Sequence, residues 1–275
     1  MSRFVLGCYT DFTMLLIGTT IFFIGLCVGS FLNVVLFRTY EGQSVIVGRS
    51  KCRTCQRPLN VGDLIPVLSY IFLKGRCRGC HSVIAWQYPV VEIATGILFV
   101  LVYLKGSLSL DVSLEPQELL VLLIRDWVFV SYLIVIFVYD LRHMLIIDRF
   151  TIPAMIFAVI VNLWLGTIPL WSVLAGGFVL AFFFWMQFFS SKGTWVGGGD
   201  IRMGALMGLM LGLQQGLVAL FLSYLLGALV SLFLLTTGKA DRKTPIPFGT
   251  FLAVGTVIML FAGKPILGWY LGLFG

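Results

Sequence analysis

Apolar runs long enough to cross a bilayer recur along the whole of this chain, and no other feature narrows its possible folds so far. A hydrocarbon core about 30 Å thick takes roughly 20 helical residues to cross. It offers no water to exposed backbone groups, so a spanning segment is either a helix or a strand of a closed barrel. Barrel strands alternate apolar and polar residues over about ten positions. Stretches such as IVIFVYD (134–140) and FVLAFFFWMQFF (178–189) show no such alternation, and 59% of the residues are hydrophobic against 11% charged. The expected fold is an all-α polytopic membrane protein with about eight transmembrane helices, over 14–37, 89–104, 122–140, 150–167, 170–190, 201–213, 216–237 and 250–272. The second and sixth are short and contain glycine, which suits helices packed against neighbours. The first apolar run is long, lacks a basic flank and ends at Arg38, so it is expected to remain as an anchor.

Basic residues set the expected orientation. With the amino terminus outside, the inner loops hold most of the lysines and arginines, and only Arg3, Lys105, Arg125 and Lys264 fall at the outer ends. A cationic surface beside anionic lipid accounts for the net charge of +7 and leaves no need for a nucleic-acid partner.

Acidic groups near hydrocarbon are costly, which singles out Asp140 in YDLRHMLIID and Asp200 in VGGGDIRMG, each where an apolar span meets a polar loop. Gly197, Gly198 and Gly199 before Asp200 permit close backbone packing or an extended peptide. An even number of crossings separates the two aspartates, so both are expected at the cytoplasmic face. Two carboxyls sharing a site do not both ionise readily. One stays protonated while the other activates a water, the chemistry of an aspartic protease dyad. Asp148 is the competitor on the same side. Asp126, beside Arg125, is expected to reach headgroups or pair locally, and His143 is a weak candidate for a proton partner. Only two histidines exist, which leaves a Ser–His or Cys–His nucleophile poorly supported.

The one sizeable polar region, about 38–88, carries Cys52-Arg-Thr-Cys55 and Cys77-Arg-Gly-Cys80 with 21 residues between the pairs. Four thiolates at this spacing suit a tetrahedral Zn²⁺ in a zinc-ribbon-like loop. Two disulfides or four free thiols are the alternatives, and a reducing cytoplasm favours the metal. His81 is expected to be a surface residue, Cys27 a small buried hydrophobe, and Cys8 has no CxxC partner. Between the knuckles, DLIPVLSYIFLKGR (63–76) is too apolar for a free loop and is expected to form a short amphipathic helix, lying on the membrane or under the zinc module.

GSFLNVVLFR (29–38), the two knuckles around DLIPVLSY, then KGRCRGC, YPVVE (88–92), Asp140 and GGGD (197–200) stand in an order that resembles bacterial prepilin peptidases, the GxGD-type aspartic proteases of type IV pilus and type II secretion systems. The resemblance implies an enzyme of the bacterial inner membrane that removes the basic leader of a prepilin or pseudopilin at the cytoplasmic face. It also implies N-methylation of the new amino terminus with S-adenosylmethionine. Asp140 and Asp200 would be the catalytic pair and Asp148 a supporting carboxylate. The division would be an N-terminal helix at 1–37, a four-cysteine loop at 38–88 and a protease domain at 89–275. Glycine at 198 departs from the bulky residue frequent there, which bears on peptide fit. No glycine fingerprint of a Rossmann type marks an S-adenosylmethionine site. Glu92 either orients a substrate amine or is a structural carboxylate, and the loop 238–249 is either a solvated turn or a border of the peptide groove. The other readings are a peptidase without methyl transfer and a noncatalytic zinc-bearing membrane adaptor.

Overall fold

The computed structural model describes residues 2–108, 116–239, 241 and 244–272; Arg242 and Lys243 lie outside the described residues, as do the side chains of Arg3 and Cys8. Among the described residues the structure is helical, with two isolated β-bridges and seven helices long and apolar enough to cross a membrane. The chain divides into two compact units, Met1–Glu115 and Pro116–Gly275.

The first unit holds α1 (Ser2–Tyr40), a 3-10 turn at Val61–Asp63, α2 (Leu68–Phe72) and α3 (Gln87–Leu108). The second span, expected to be short, is a 22-residue helix, because it continues through Lys105 and Gly106 beyond the apolar run. Small residues bring α1 and α3 together. A Cβ on Gly25 would lie 2.6 Å from the Cα of Gly96, and one on Gly29 would lie 2.7 Å from the Cα of Glu92. Lipid gives no hydrophobic drive between helices, so such backbone contact supplies dispersion instead. One turn further along α1 the Asn33 amide donates to the Tyr88 carbonyl at 3.1 Å, and one turn beyond that the Phe37 ring stacks on Tyr88 at 4.8 Å. The GSFLNVVLFR and YPVVE segments are thus two sides of one helix contact. Glu92, buried in α3, accepts the Val67 N–H at 2.8 Å and so holds the start of α2.

The second unit holds α4 (Pro116–His143), α5 (Asp148–Leu165), α6 (Leu170–Ser190), α7 (Gly198–Thr236) and α8 (Phe248–Gly272). A straight α7 of 39 residues would measure about 58 Å, nearly twice the hydrocarbon thickness. It does not run straight. Gly212 has φ 76° and ψ 179°, and the chain doubles back there, so that a Cβ on Gly216 would lie 3.5 Å from the Cα of Gly208. Gly204 and Tyr224 likewise meet the same Phe184 ring although 20 residues separate them. Two arms, 198–211 and 213–236, therefore correspond to the expected sixth and seventh spans.

The reversal breaks the helical ladder, and neighbouring helices repair it. In an unbroken helix the Leu213 N–H would donate to the Leu209 carbonyl. Here Leu213 N–H donates to Ser172 Oγ of α6 at 3.1 Å, and the Leu209 carbonyl accepts from the Asn162 amide of α5 at 2.8 Å. Near this turn Asp126 pairs locally, as expected: its Oδ1 accepts Arg125 Nε at 2.8 Å, and the guanidinium also donates to Asn162 and Thr167. Both charged residues are buried, so their fixed partners offset the cost of leaving water.

Candidate active site and metal centre

Asp140 closes the last turns of α4 and is 4% exposed; Asp200 is the third residue of α7 and is 9% exposed. Each carboxylate is held by backbone at the start of a helix. Asp200 Oδ2 accepts its own Gly197 N–H at 2.8 Å, and Asp140 Oδ2 accepts the Thr250 N–H of α8 at 2.9 Å. Helix N-termini present free N–H groups and a positive dipole end, which suits both acids.

Ile146, in the short link from α4 to α5, draws the two together. A Cβ on Gly199 would lie 2.8 Å from the Cβ of Ile146, while one on Gly249 would lie 2.7 Å from its Cδ1 and 2.8 Å from Asp140 Oδ2. Ile146 thus joins the residue before Asp200 to the residue packed against Asp140. A larger residue at 199 would push on the Ile146 Cβ, and one at 249 would displace the Asp140 carboxylate. At Gly198 an added Cβ meets nothing within 4 Å, so the backbone there tolerates the bulky residue frequent in the resembling proteins.

The remaining candidates take supporting places. Asp148, at the start of α5, pairs with Arg202 on the first turns of α7 and ties the two aspartate-bearing segments together. The His143 ring lies 4.7 Å from that of Tyr139. Gly249 and Thr250 were not legible as partners of Asp140, since 110 residues separate them; the one signal was a glycine and a threonine opening an apolar span directly after TPIPF. Tyr224, whose hydroxyl donates to Gln187 at 3.0 Å, stands with Phe184 and Phe248 in an aromatic wall. Two buried carboxyls set around Ile146, with open space at Gly198, are equipped to activate a water against a peptide carbonyl.

In the first unit the four cysteines form two matching knuckles. Cys52 N–H donates to Arg57 O and Gln56 N–H to Cys52 O, both at 2.9 Å; Cys77 N–H donates to Ser82 O at 2.9 Å and His81 N–H to Cys77 O at 3.0 Å. Gln56 and His81 each turn the chain with a left-handed φ, near 57° and 56°. His81 is exposed, as expected of a surface residue. All four sulfurs lie within 4.8 Å of one another, and Cys52 and Cys80 are 3.8 Å apart. Tetrahedral Zn–S bonds of about 2.3 Å set sulfurs about 3.8 Å apart, so the cluster fits the ion. The Cys55 N–H facing its sulfur holds the Cys52 thiol down to about 6, and Ser82 holds Cys80 below the ordinary thiol range. The neighbouring thiols push Cys55 the other way, up to about 11, so the four thiols share their protons unevenly when no ion is bound. Cys27, expected to be buried, is exposed on the outside of α1, a surface that lipid rather than water meets.

Comparison with known proteins follows the same division. The family described as Bacterial Peptidase A24 N-terminal domain matches residues 23–106, and the Type IV leader peptidase family matches 127–232. A protein of Bacillus subtilis (strain 168) named prepilin leader peptidase/N-methyltransferase is 33% identical over 256 residues, covering 91% of this chain and 96% of its own. Proteins of the same name from Aeromonas salmonicida (strain A449) and Pseudomonas putida are 33% and 30% identical, over 91% and 92% of this chain and 92% and 93% of theirs. No solved structure matches.

Proposed function

We propose a function from one premise: this chain belongs to the type IV leader peptidase family. It is a prepilin leader peptidase and N-methyltransferase, a multi-pass membrane enzyme that removes the leader of a prepilin or pseudopilin and methylates the exposed amino terminus. The observation that carries the peptidase reading is that Gly199, next to Asp200, and Gly249, against Asp140, pack on the same residue, Ile146. One carboxyl, ionised, takes a proton from a water as that water attacks the scissile carbonyl. The other, protonated, gives its proton to the carbonyl oxygen; on collapse the first carboxyl passes the water's proton to the leaving amine and the tetrahedral hydroxyl returns its proton to the second. Thr250 N–H and Gly197 N–H keep the two acids in place through the cycle. The concentration of basic residues in the expected inner loops supports a bacterial inner-membrane enzyme working at the cytoplasmic face, where a basic leader would remain.

Zinc is the metal in this reading, held by Cys52, Cys55, Cys77 and Cys80, and its closed set of four sulfurs makes it structural. The purified chain should carry a single zinc by elemental mass spectrometry. Cys77→Ser, at the buried corner of the cluster, should lose it and free the loop to proteolysis, since a structural zinc contributes about 10 kcal/mol or more to folding. S-adenosylmethionine is the methyl donor. Its site is not of the strand–turn–helix kind, because the described residues form no strand beyond isolated bridges.

The test is direct. The chain is co-expressed with a prepilin-like substrate and the substrate's amino terminus is read by mass spectrometry. Leader loss and an added methyl group are expected only in its presence. An intact leader rejects the peptidase, and an unmethylated product rejects the second activity.

A further inference from the structure

We propose that the segment from Leu64 to Phe72 is an interfacial anchor whose apolar side chains dock on the surface of the lipid bilayer. Leu64, Ile65, Leu68 and Ile71 are exposed, and Phe72 is 80% exposed. Trp86, immediately before α3, is 73% exposed. So many large apolar side chains exposed along one short segment are not left to water in a soluble loop.

Depth in the membrane is set by a hydrogen bond. Val67 N–H donates to Glu92 Oε2 at 2.8 Å, and Glu92 is the sixth residue of α3, a helix apolar enough to span a bilayer. Five residues of α-helix rise about 7.5 Å. Since a helical side chain leans toward the N-terminus, the start of α2 lies beside the first turns of a spanning helix, not in the loop beyond its end. Val67 adopts a left-handed φ of 60°, uncommon for a β-branched residue, and the Glu92 carboxylate holds that turn. Charge agrees with the placement. Lys74 and Arg76, exposed directly after the apolar run, suit anionic headgroups, and a tryptophan at a span end suits the interface. The occupant is thus the membrane that α1 and α3 already cross, met by the same unit at its polar edge.

Photo-crosslinking tests this on the full chain in nanodiscs of phosphatidylethanolamine and phosphatidylglycerol. A p-benzoylphenylalanine replaces Leu68, Phe72 or, as a reference on a spanning helix, Phe178 of α6, which is 70% exposed. After irradiation, intact-protein mass spectrometry should show a phospholipid adduct at Leu68 and Phe72 in a yield comparable with that at Phe178. Crosslinks from Leu68 and Phe72 to a second copy of the chain, or none while Phe178 is labelled, overturn the proposal. As an independent reading in the same nanodiscs, the pair Ile71→Glu, Phe72→Glu should raise the amide exchange of α2 above wild type. Unchanged exchange counts against the anchor.

Discussion

Asp140→Asn and Asp200→Asn each lower leader cleavage by about 10³-fold or more, the scale of losing an acid–base group at a reacting centre. That factor corresponds to about 4 kcal/mol of transition-state stabilisation. Both variants remain folded. Asparagine keeps an oxygen to accept the Thr250 N–H at position 140 and the Gly197 N–H at position 200, and it is as good a cap as aspartate. What it cannot do is exchange a proton with water. Because the two carboxyls act on one water, the double replacement is hardly worse than either single one, as for any groups that work as a unit. The readout is the rate of appearance of the mature amino terminus by mass spectrometry, with thermal unfolding in detergent as the check on folding. Processing that continues at near wild-type rate in either single variant removes that residue from the dyad.

The second large effect is structural. Gly208→Ala places a Cβ within van der Waals overlap of the Gly176 carbonyl group, backbone against backbone, so no side-chain rotation relieves it. Relief requires α6 and the first arm of α7 to separate. That movement also loosens Gly204 from Phe184 and the Gly212 turn from Ser172. Overpacking a tight core costs about 1–3 kcal/mol, and a clash that no side chain can absorb belongs at the upper end or beyond. The expected result is a marked fall in the detergent unfolding temperature together with lost cleavage, since Asp200 rides on that arm. Gly268→Ala, on α8 with nothing within 4 Å of the added carbon, is the matched control and should leave both unchanged. A Gly208→Ala protein as stable as this control would mean the helices are not in contact there.

The glycine run MGALMGLMLGL reads as a packing face because lipid gives helices no other reason to be so rich in small residues, and Gly204 and Gly208 do pack in that way. The reversal itself was legible only within a few residues. The expected sixth span ends at 213, whereas the chain turns at Gly212, where a positive φ is free of Cβ strain. That Asn162 and Ser172 would supply the hydrogen bonds lost there was invisible, since nothing local marks a residue whose partner is a carbonyl or amide on another helix.

Membrane residence, the helical class, the paired knuckles and both aspartates are properties of short stretches of chain: a run of about 20 apolar residues, a CxxC spacing, an acid at the end of a span. Local patterns are written in consecutive residues, so the order of the amino acids alone determined them. The tertiary structure alone decided that α8 begins against Asp140, that Ile146 lies between Gly199 and Gly249, and that Glu92 draws Val67 to the level of a spanning helix. Those contacts join residues far apart in the chain and arise only when whole helices pack. A carboxylate shows which helix it serves only once another segment brings its N–H groups to it.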